Sequence, residues 1–238
     1  NPNYEVTVNN GTYTINKATA TITADDKSSV YGEDLAELTA TTEGTIGTDT
    51  LAYTLSKADG VTAGEYVISV TLGSNPNYEV TVNNGTYTIN KATYNMDGIT
   101  FEGETYTYDG TSKSLLITGT LPDGVTVSYV GNEQTNAGTH IVTAKFVGDA
   151  DNYEPIEDKT ANLQINKATA AITAHNKESD YLAKFVDLTA ETTGLFGADQ
   201  LNYELIKAPG TNAGIYSITV QLGDNPNYNV STENGIYK

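Results

Sequence analysis

Apolar and polar residues alternate with period two, an 18-residue stretch recurs unchanged, and turn residues break the chain about every ten positions; together these predict an all-β protein of tandem small modules. The alternation is clearest in TYTINKATATITA, EYVISVTL and IYSITVQL. β-Branched and aromatic side chains there take every second place, as half-buried antiparallel strands require. No segment sustains a helical stripe, and the best candidates for a helical turn are the brief GTDTL and GADQL segments. A module of ~75 residues with short strands and frequent turns favours a small antiparallel β-sandwich of Ig-like plan. A β-grasp-like module or an open β-roll is the alternative.

Self-comparison sets the frame. NPNYEVTVNNGTYTINKA occurs at 1–18 and again at 75–92, and a shortened relative, NPNYNVSTENGIYK, occupies 225–238. Residues 19–92 and 169–238 align without a gap at a constant offset of 150, so that TATITADDK faces TAAITAHNK. Residues 93–168 are a more distant copy, in which NAGTHIVTAKF and DNYEP stand where TAGEYVISVTL and PNYEV stand. The expected organisation is a closing hairpin of a preceding repeat at 1–18, then β modules at 19–92 (type A), 93–168 (type B) and 169–238 (type A, short at its C-terminal end). The chain reads as a fragment of a longer repeat protein. Its modules are joined by about one residue, well under the usual ~4–6 of a loop, which predicts end-to-end stacking.

The repeat end yields the sharpest local expectation. A type I′ turn at Asn10-Gly11 would set Val8 opposite Tyr13 and Val6 opposite Ile15, and one at Asn84-Gly85 would pair Val82 with Tyr87 and Val80 with Ile89. The apolar face so formed at 1–18 should pack on the first module or on a neighbouring molecule, head to tail with the third module.

Composition narrows the function. There is no cysteine and one methionine, hence no disulfide framework and no thiol chemistry, which suits a secreted chain. No apolar run approaches the ~20 residues that span a bilayer, so this stretch is not expected to insert into a membrane, and no signal-peptide pattern opens it. The net charge is −18 and all 12 cationic residues are lysine. Without arginine forks, and with a field that repels polyanions, a nucleic-acid partner is not expected.

These residues resemble the MBG repeat domains of bacterial surface proteins. VYGEDLAELTATTEG, GTDTLAYTL, TAGEYVISV and NPNYEVTV follow the YGX type in modules one and three, while YTYDGTSKSLLITGTLPDGVTVSY and NYEPI of the middle module resemble the YDG-containing type. Tyr181-Leu182 stands where module one has Tyr31-Gly32, so the first turn of module three is expected to differ. The resemblance implies structural stalk repeats of an adhesin-like protein, at the cell surface or in the cell wall, holding a distal binding domain. It carries no catalytic or binding residue.

The candidate chemistry is weighed against packing. His140 takes the position of Tyr66 and Tyr216, and His175 that of Asp25; neither recurs, and no triad or ligand spacing surrounds them. Asp25, Asp26 and Asp34, and the cluster Asp149, Asp151, Glu154, Glu157 and Asp158, bring carboxylates together as a calcium loop would. An EF-hand's glycine and closing glutamate are missing, so solvated surface is favoured. Tyr4, Tyr78, Tyr153 and Tyr228 share one repeat position, as core anchors do, which leaves Tyr94, Tyr106 and Tyr129 as the candidates for a glycan platform. Lys17, Lys91 and Lys167 of INKA could in principle form isopeptides, but an exposed hinge is the favoured reading. The expectation is a non-enzymatic spacer without cofactor or metal. The alternative is an adhesion module in which the middle repeat recognises a host glycan or protein.

Overall fold

The computed structural model describes residues 2–238. Every regular element among them is a β-strand, and the GTDTL and GADQL segments are tight turns rather than helix. The chain divides into two compact units, Asn1–Tyr94 with Gly148–Pro155, and Asn95–Val147 with Ile156–Lys238.

In the first unit seven strands form two sheets. One has the order β3-β1-β6, from β1 (Ala18–Ala24), β3 (Ala40–Glu43) and β6 (Tyr78–Asn83). The other has the order β2-β7-β5-β4, from β2 (Lys27–Val30), β4 (Tyr53–Lys57), β5 (Gly64–Leu72) and β7 (Gly85–Asn90). The period-two pattern of ATATITA turns Ala20, Ile22 and Ala24 inward, where Ala20 and Ile22 pack with Leu51 and Tyr78, and Ala24 packs with Ile68, Tyr87 and Ile89 of the opposite sheet, Val70 lying against both groups. Each large side chain buried there contributes about 1.5–3 kcal/mol. Three strands facing four, with the core between, is the two-layer plan of an Ig-like sandwich.

Two expectations are corrected here. The sheets are mixed rather than purely antiparallel, because β1 runs parallel to β6 and β2 parallel to β7. The cause lies at Asn84-Gly85, which is not a hairpin turn. The strands on either side of it belong to different sheets, so Val82 does not face Tyr87 and Val80 does not face Ile89. Neither residue has the positive φ that a type I′ turn requires. Asn84 instead accepts the Val70 N–H at 3.2 Å through its side chain. Gly85 is needed for closeness, since a Cβ there would lie 2.7 Å from the Ala24 carbonyl oxygen.

The same fact explains residues 2–17, which form no strand and leave Val6, Val8, Tyr13 and Ile15 exposed instead of paired. Tyr13 is 91% exposed where the identical segment buries Tyr87 to 0%, and Ile15 is 83% exposed against 3% for Ile89. The two halves of this segment never pair with each other. At 78–90 each half is held by a different sheet of the module, and among the described residues 2–17 makes no such pairing.

In the second unit, the middle repeat has one regular sheet of order β8-β11-β10-β9, from β8 (Glu104–Thr107), β9 (Thr126–Val130), β10 (Gly138–Val147) and β11 (Lys159–Asn166). Outside it only the bridges Thr100↔Thr118 and Lys113↔Gln134 appear, although Ile99, Phe101, Leu115 and Val125 are buried. Lys167 alone separates β11 from β12 (Ala168–Ala174).

The third repeat follows the first with one strand fewer, since 177–180, the counterpart of β2, forms only the bridge Lys177↔Tyr237. Its remaining strands are β13 (Ala190–Thr193), β14 (Tyr203–Lys207), β15 (Tyr216–Leu222), β16 (Tyr228–Glu233) and β17 (Gly235–Tyr237), in sheets β13-β12-β16 and β14-β15-β17. Its Leu182 keeps the left-handed backbone of Gly32, with φ of 65° against 84°. The first turn therefore does not differ as expected, and a branched side chain carries strain that glycine would not.

Candidate functional site

The arrangement that recurs is a seam built on the tyrosine of NPNY or DNY. In the first repeat the Tyr78 hydroxyl donates to Asp49 Oδ2 at 2.7 Å and accepts the Ile46 N–H at 3.0 Å. In the third, Tyr228 donates to Asp199 Oδ2 at 2.6 Å and accepts the Phe196 N–H at 3.0 Å. A buried phenol needs a partner for its hydroxyl, and the aspartate and backbone N–H of the GTDTL or GADQL turn supply both.

The second unit adds a tyrosine from the middle repeat. Tyr108, the first residue of YDG, is buried and donates its hydroxyl to the same Asp199 Oδ2 at 2.7 Å. Its ring stands edge-on to Tyr228, with centroids 5.4 Å apart and planes at 77°, and edge-on to Phe196 at 6.2 Å. The hydrogen bond to Asp199 and burial push the Tyr108 phenol up to about 12, while the two tyrosine hydroxyls hold the Asp199 carboxyl below its usual range. Beside them the Ala137 N–H donates to Asn227 Oδ1 at 2.9 Å, and Asn227 Nδ2 donates to Asn136 Oδ1 at 3.2 Å. Gly110 of YDG has φ +76°, and a Cβ there would lie 3.4 Å from Phe196, so glycine suits both the turn and the approach. Asp109 is drawn down to about 2 by hydrogen bonds from Lys113 and Thr111.

The first unit contains the same seam in another form. The Ala63 N–H donates to Oδ1 of the buried Asn152 at 3.0 Å, and Asn152 Nδ2 donates to Asp149 Oδ2 at 2.8 Å. Tyr31 stands edge-on to Tyr153 at 5.6 Å and 76°. Tyr94 stacks on Tyr153 at 3.9 Å and accepts the Asp149 N–H at 2.9 Å. Lys91 Nζ donates to the Ala150 carbonyl at 2.6 Å, as Lys167 Nζ does to the Asn225 carbonyl at 3.1 Å.

The sequence candidates are distributed over these packing roles. His140 Nε2 bonds the Asn136 carbonyl at 2.9 Å, the place where Tyr66 and Tyr216 bond the Thr62 and Asn212 carbonyls. His175 Nδ1 meets Thr189 Oγ1 at 2.9 Å, as Asp25 meets Thr39 and Thr41, whose hydroxyls lower its pKa. Asp26 accepts the Thr86 N–H, Asp149 closes its own loop on Asp151 and Asn152, and Asp158 pairs with Lys145 at 2.9 Å. Asp34, Asp151, Glu154 and Glu157 are exposed. Among the described residues no three of His, Asp or Glu converge to hold a metal ion.

Of the glycan candidates, Tyr94 is stacked, Tyr106 donates to Glu104, and Tyr129 accepts the Ile117 N–H at 3.0 Å. Lys17, Lys91 and Lys167 are exposed. Sequence reasoning missed the asparagine before each repeat tyrosine. The only available signal was that Asn77, Asn152 and Asn227 recur.

These seams belong to a chain of tandem β modules. The MBG domain (YGX type) family model matches residues 20–88 and 170–238, and the chain belongs to that family. The middle repeat lies outside the two matched stretches. No curated protein sequence matches the chain. A solved structure of three Ig domains of titin, an E-to-A mutated variant, is similar at 10% identity over 93% of this chain and 95% of that one, with a TM-score of 0.26. A score that low adds nothing to the fold, which rests on the strands themselves. The family and the two-sheet sandwich are of a non-enzymatic kind.

Proposed function

We propose that this chain is a run of structural spacer repeats from an adhesin-like protein of a bacterial cell surface, framed at 19–92, 93–168 and 169–238 and holding a distal binding domain away from its anchor. The observation that carries the reading is the seam. A backbone N–H of one repeat is held by an asparagine of the next, with a tyrosine edge packed beside it, in both units. Side chains that could have served ligands are engaged within the middle repeat itself. Tyr94 and Tyr129 have their hydroxyls engaged by backbone N–H groups, and Tyr106 has its own engaged by Glu104, which speaks against a glycan platform on the middle repeat. The excess of carboxylates keeps such an array in solution and away from anionic polymers.

The test inserts the chain, in increasing copy number, between a cell anchor and a small domain of known ligand. Capture of that ligand through a surface polymer layer should rise with copy number and survive substitution of Asp34, Glu154 and Glu157. Specific capture of one glycan or host protein by the chain alone, on an array, would move the function to the adhesion reading.

A further inference from the structure

In the first repeat β1 and β2 lead the chain in, β6 and β7 lead it out, and the two runs lie side by side in the same direction. Ala18 to Thr23 face Tyr78 to Asn83, and Lys27 to Val30 face Tyr87 to Asn90. The register is the same in both stretches, although the runs pass together from one sheet into the other. Backbone bonds close the ladder at each end: the Ala18 N–H donates to the Asn77 carbonyl at 3.0 Å, and the Tyr31 N–H donates to the Asn90 carbonyl at 2.9 Å. Between the two stretches a side chain bridges the runs, since Asp26 Oδ1 accepts the Thr86 N–H at 2.7 Å. The third repeat sets β12 parallel to β16 in the corresponding register, and there Asn176 Oδ1 accepts the Ile236 N–H at 2.8 Å. In the second unit β8 runs parallel to β11, with the Tyr108 N–H on the Asn166 carbonyl at 2.8 Å.

Direction decides what such a ladder does under tension. The chain enters the first repeat beside Ala18 and leaves it beyond Asn90, at opposite ends of the ladder. Tension through those two points draws β1 back toward its start and β7 onward toward its end. The runs are then driven to slide past each other, and the ladder bonds are loaded together. Had the first and last strands been antiparallel, both loaded points would lie at one end of the pair, and its bonds would open one after another. Forced unfolding follows the height of the unfolding barrier rather than the equilibrium stability, so the direction of loading matters beyond the number of bonds.

We propose that this parallel ladder is the tension-bearing element of the first repeat, and that Asp26 is the staple that keeps its two stretches acting as one. The inference deepens the spacer reading and rests on it, because a repeat that holds a binding domain away from its anchor is pulled through its two ends.

The direction of pull tests it. The chain has no cysteine, so two introduced ones fix the points of force without ambiguity. In the whole 238-residue chain, Lys17→Cys with Lys91→Cys loads the ladder lengthwise, and Lys17→Cys with Asn77→Cys opens it from one end; all three native side chains are exposed. In an optical trap at one loading rate, the lengthwise pair should yield at no less than about twice the force of the end-on pair, because several hydrogen bonds must be lost together in one and singly in the other. Circular dichroism of both variants, unchanged from the parent, places the difference in the direction of pull. Adding Asp26→Ala should lower the lengthwise force and leave the end-on force as it was, since the end-on pull opens Ala18 and Tyr78 before it reaches residue 26. Equal forces in the two directions overturn the proposal, and so does a loss on Asp26→Ala of the same size in both. Copy-number-dependent ligand capture reads the spacer role separately, so the failure of one reading is distinct from the failure of the other.

Discussion

The seam of the first unit and that of the second share a skeleton and differ in what locks it. Both hold an alanine N–H on an asparagine side chain and set one tyrosine edge-on to another, at 5.6 Å and 76° in one and 5.4 Å and 77° in the other. In the second unit the lock is electrostatic, two phenols donating to Asp199. In the first it is a stacked aromatic, Tyr94 on Tyr153, with Asp149 turned to its own loop. The difference shows that the asparagine and the edge-on tyrosine set the geometry, while the lock can be replaced.

The largest effect that separates the two is expected from truncating the edge-on tyrosines. Tyr108 is buried and Tyr31 only half-buried, so Tyr108→Ala should cost about 3–5 kcal/mol within its unit and Tyr31→Ala clearly less. Hydrogen exchange at the Ala137 and Ala63 amides reads each seam separately, which a single melting curve of several modules cannot. Equal losses would mean that the two seams are not locked differently.

Next come the asparagines, the shared part. Asn152→Ala and Asn227→Ala each leave a backbone N–H without its partner, for about 1–3 kcal/mol apiece. Faster exchange at Ala63 in the first and at Ala137 in the second is the expected result. An effect confined to one would break the claim of a common skeleton. A smaller gain is expected from Leu182→Gly, which removes a left-handed leucine and should raise the melting temperature of the third repeat by an amount corresponding to roughly 1 kcal/mol.

The sequence made the repeats and the all-β class legible because period two and exact repetition are local signals. ATATITA alone places Ala20, Ile22 and Ala24 on the core side. It misled at Asn84-Gly85, where a dipeptide typical of hairpins serves a crossing between sheets. Nothing local distinguishes a glycine chosen for φ from one chosen because the Ala24 carbonyl lies close. Tyr78 and Tyr228 were legible as anchors, since position-specific recurrence points to packing, and Tyr153 is half-buried, but Tyr4 at the same repeat position is 74% exposed. The seams were not, because Ala63 with Asn152 and Tyr108 with Asp199 lie 89 and 91 residues apart and nothing in the sequence pairs them.

The smallest expected effect, and the one that sharpens the comparison most, is alkaline. The Tyr108 phenol is raised from its ordinary value near 10 to about 12 by its bond to Asp199 and by burial. A raised acid favours the folded state in its protonated form, so this contribution is complete below pH 10 and is lost as the pH climbs through 12. At the Ala63–Asn152 joint of the first unit the Tyr94 hydroxyl accepts from the Asp149 N–H, and the tyrosine hydroxyl that does donate to a carboxylate in that unit, Tyr78 to Asp49, is not among the joint's contacts. Raising the pH from 10 to 12 should therefore loosen the second unit's seam ahead of the first. Alkaline unfolding has other contributions, so the measurement must be a difference. The loss of folded signal from the second unit between pH 10 and 12 is compared in the parent chain and in Tyr108→Phe. That variant keeps the ring edge on Tyr228 but gives up the hydroxyl, at a cost of about 1.5–3 kcal/mol for a hydrogen bond to a charged group. Its alkaline loss should be shallower than the parent's, and curves of equal steepness would show that Asp199 does not lock the seam through Tyr108.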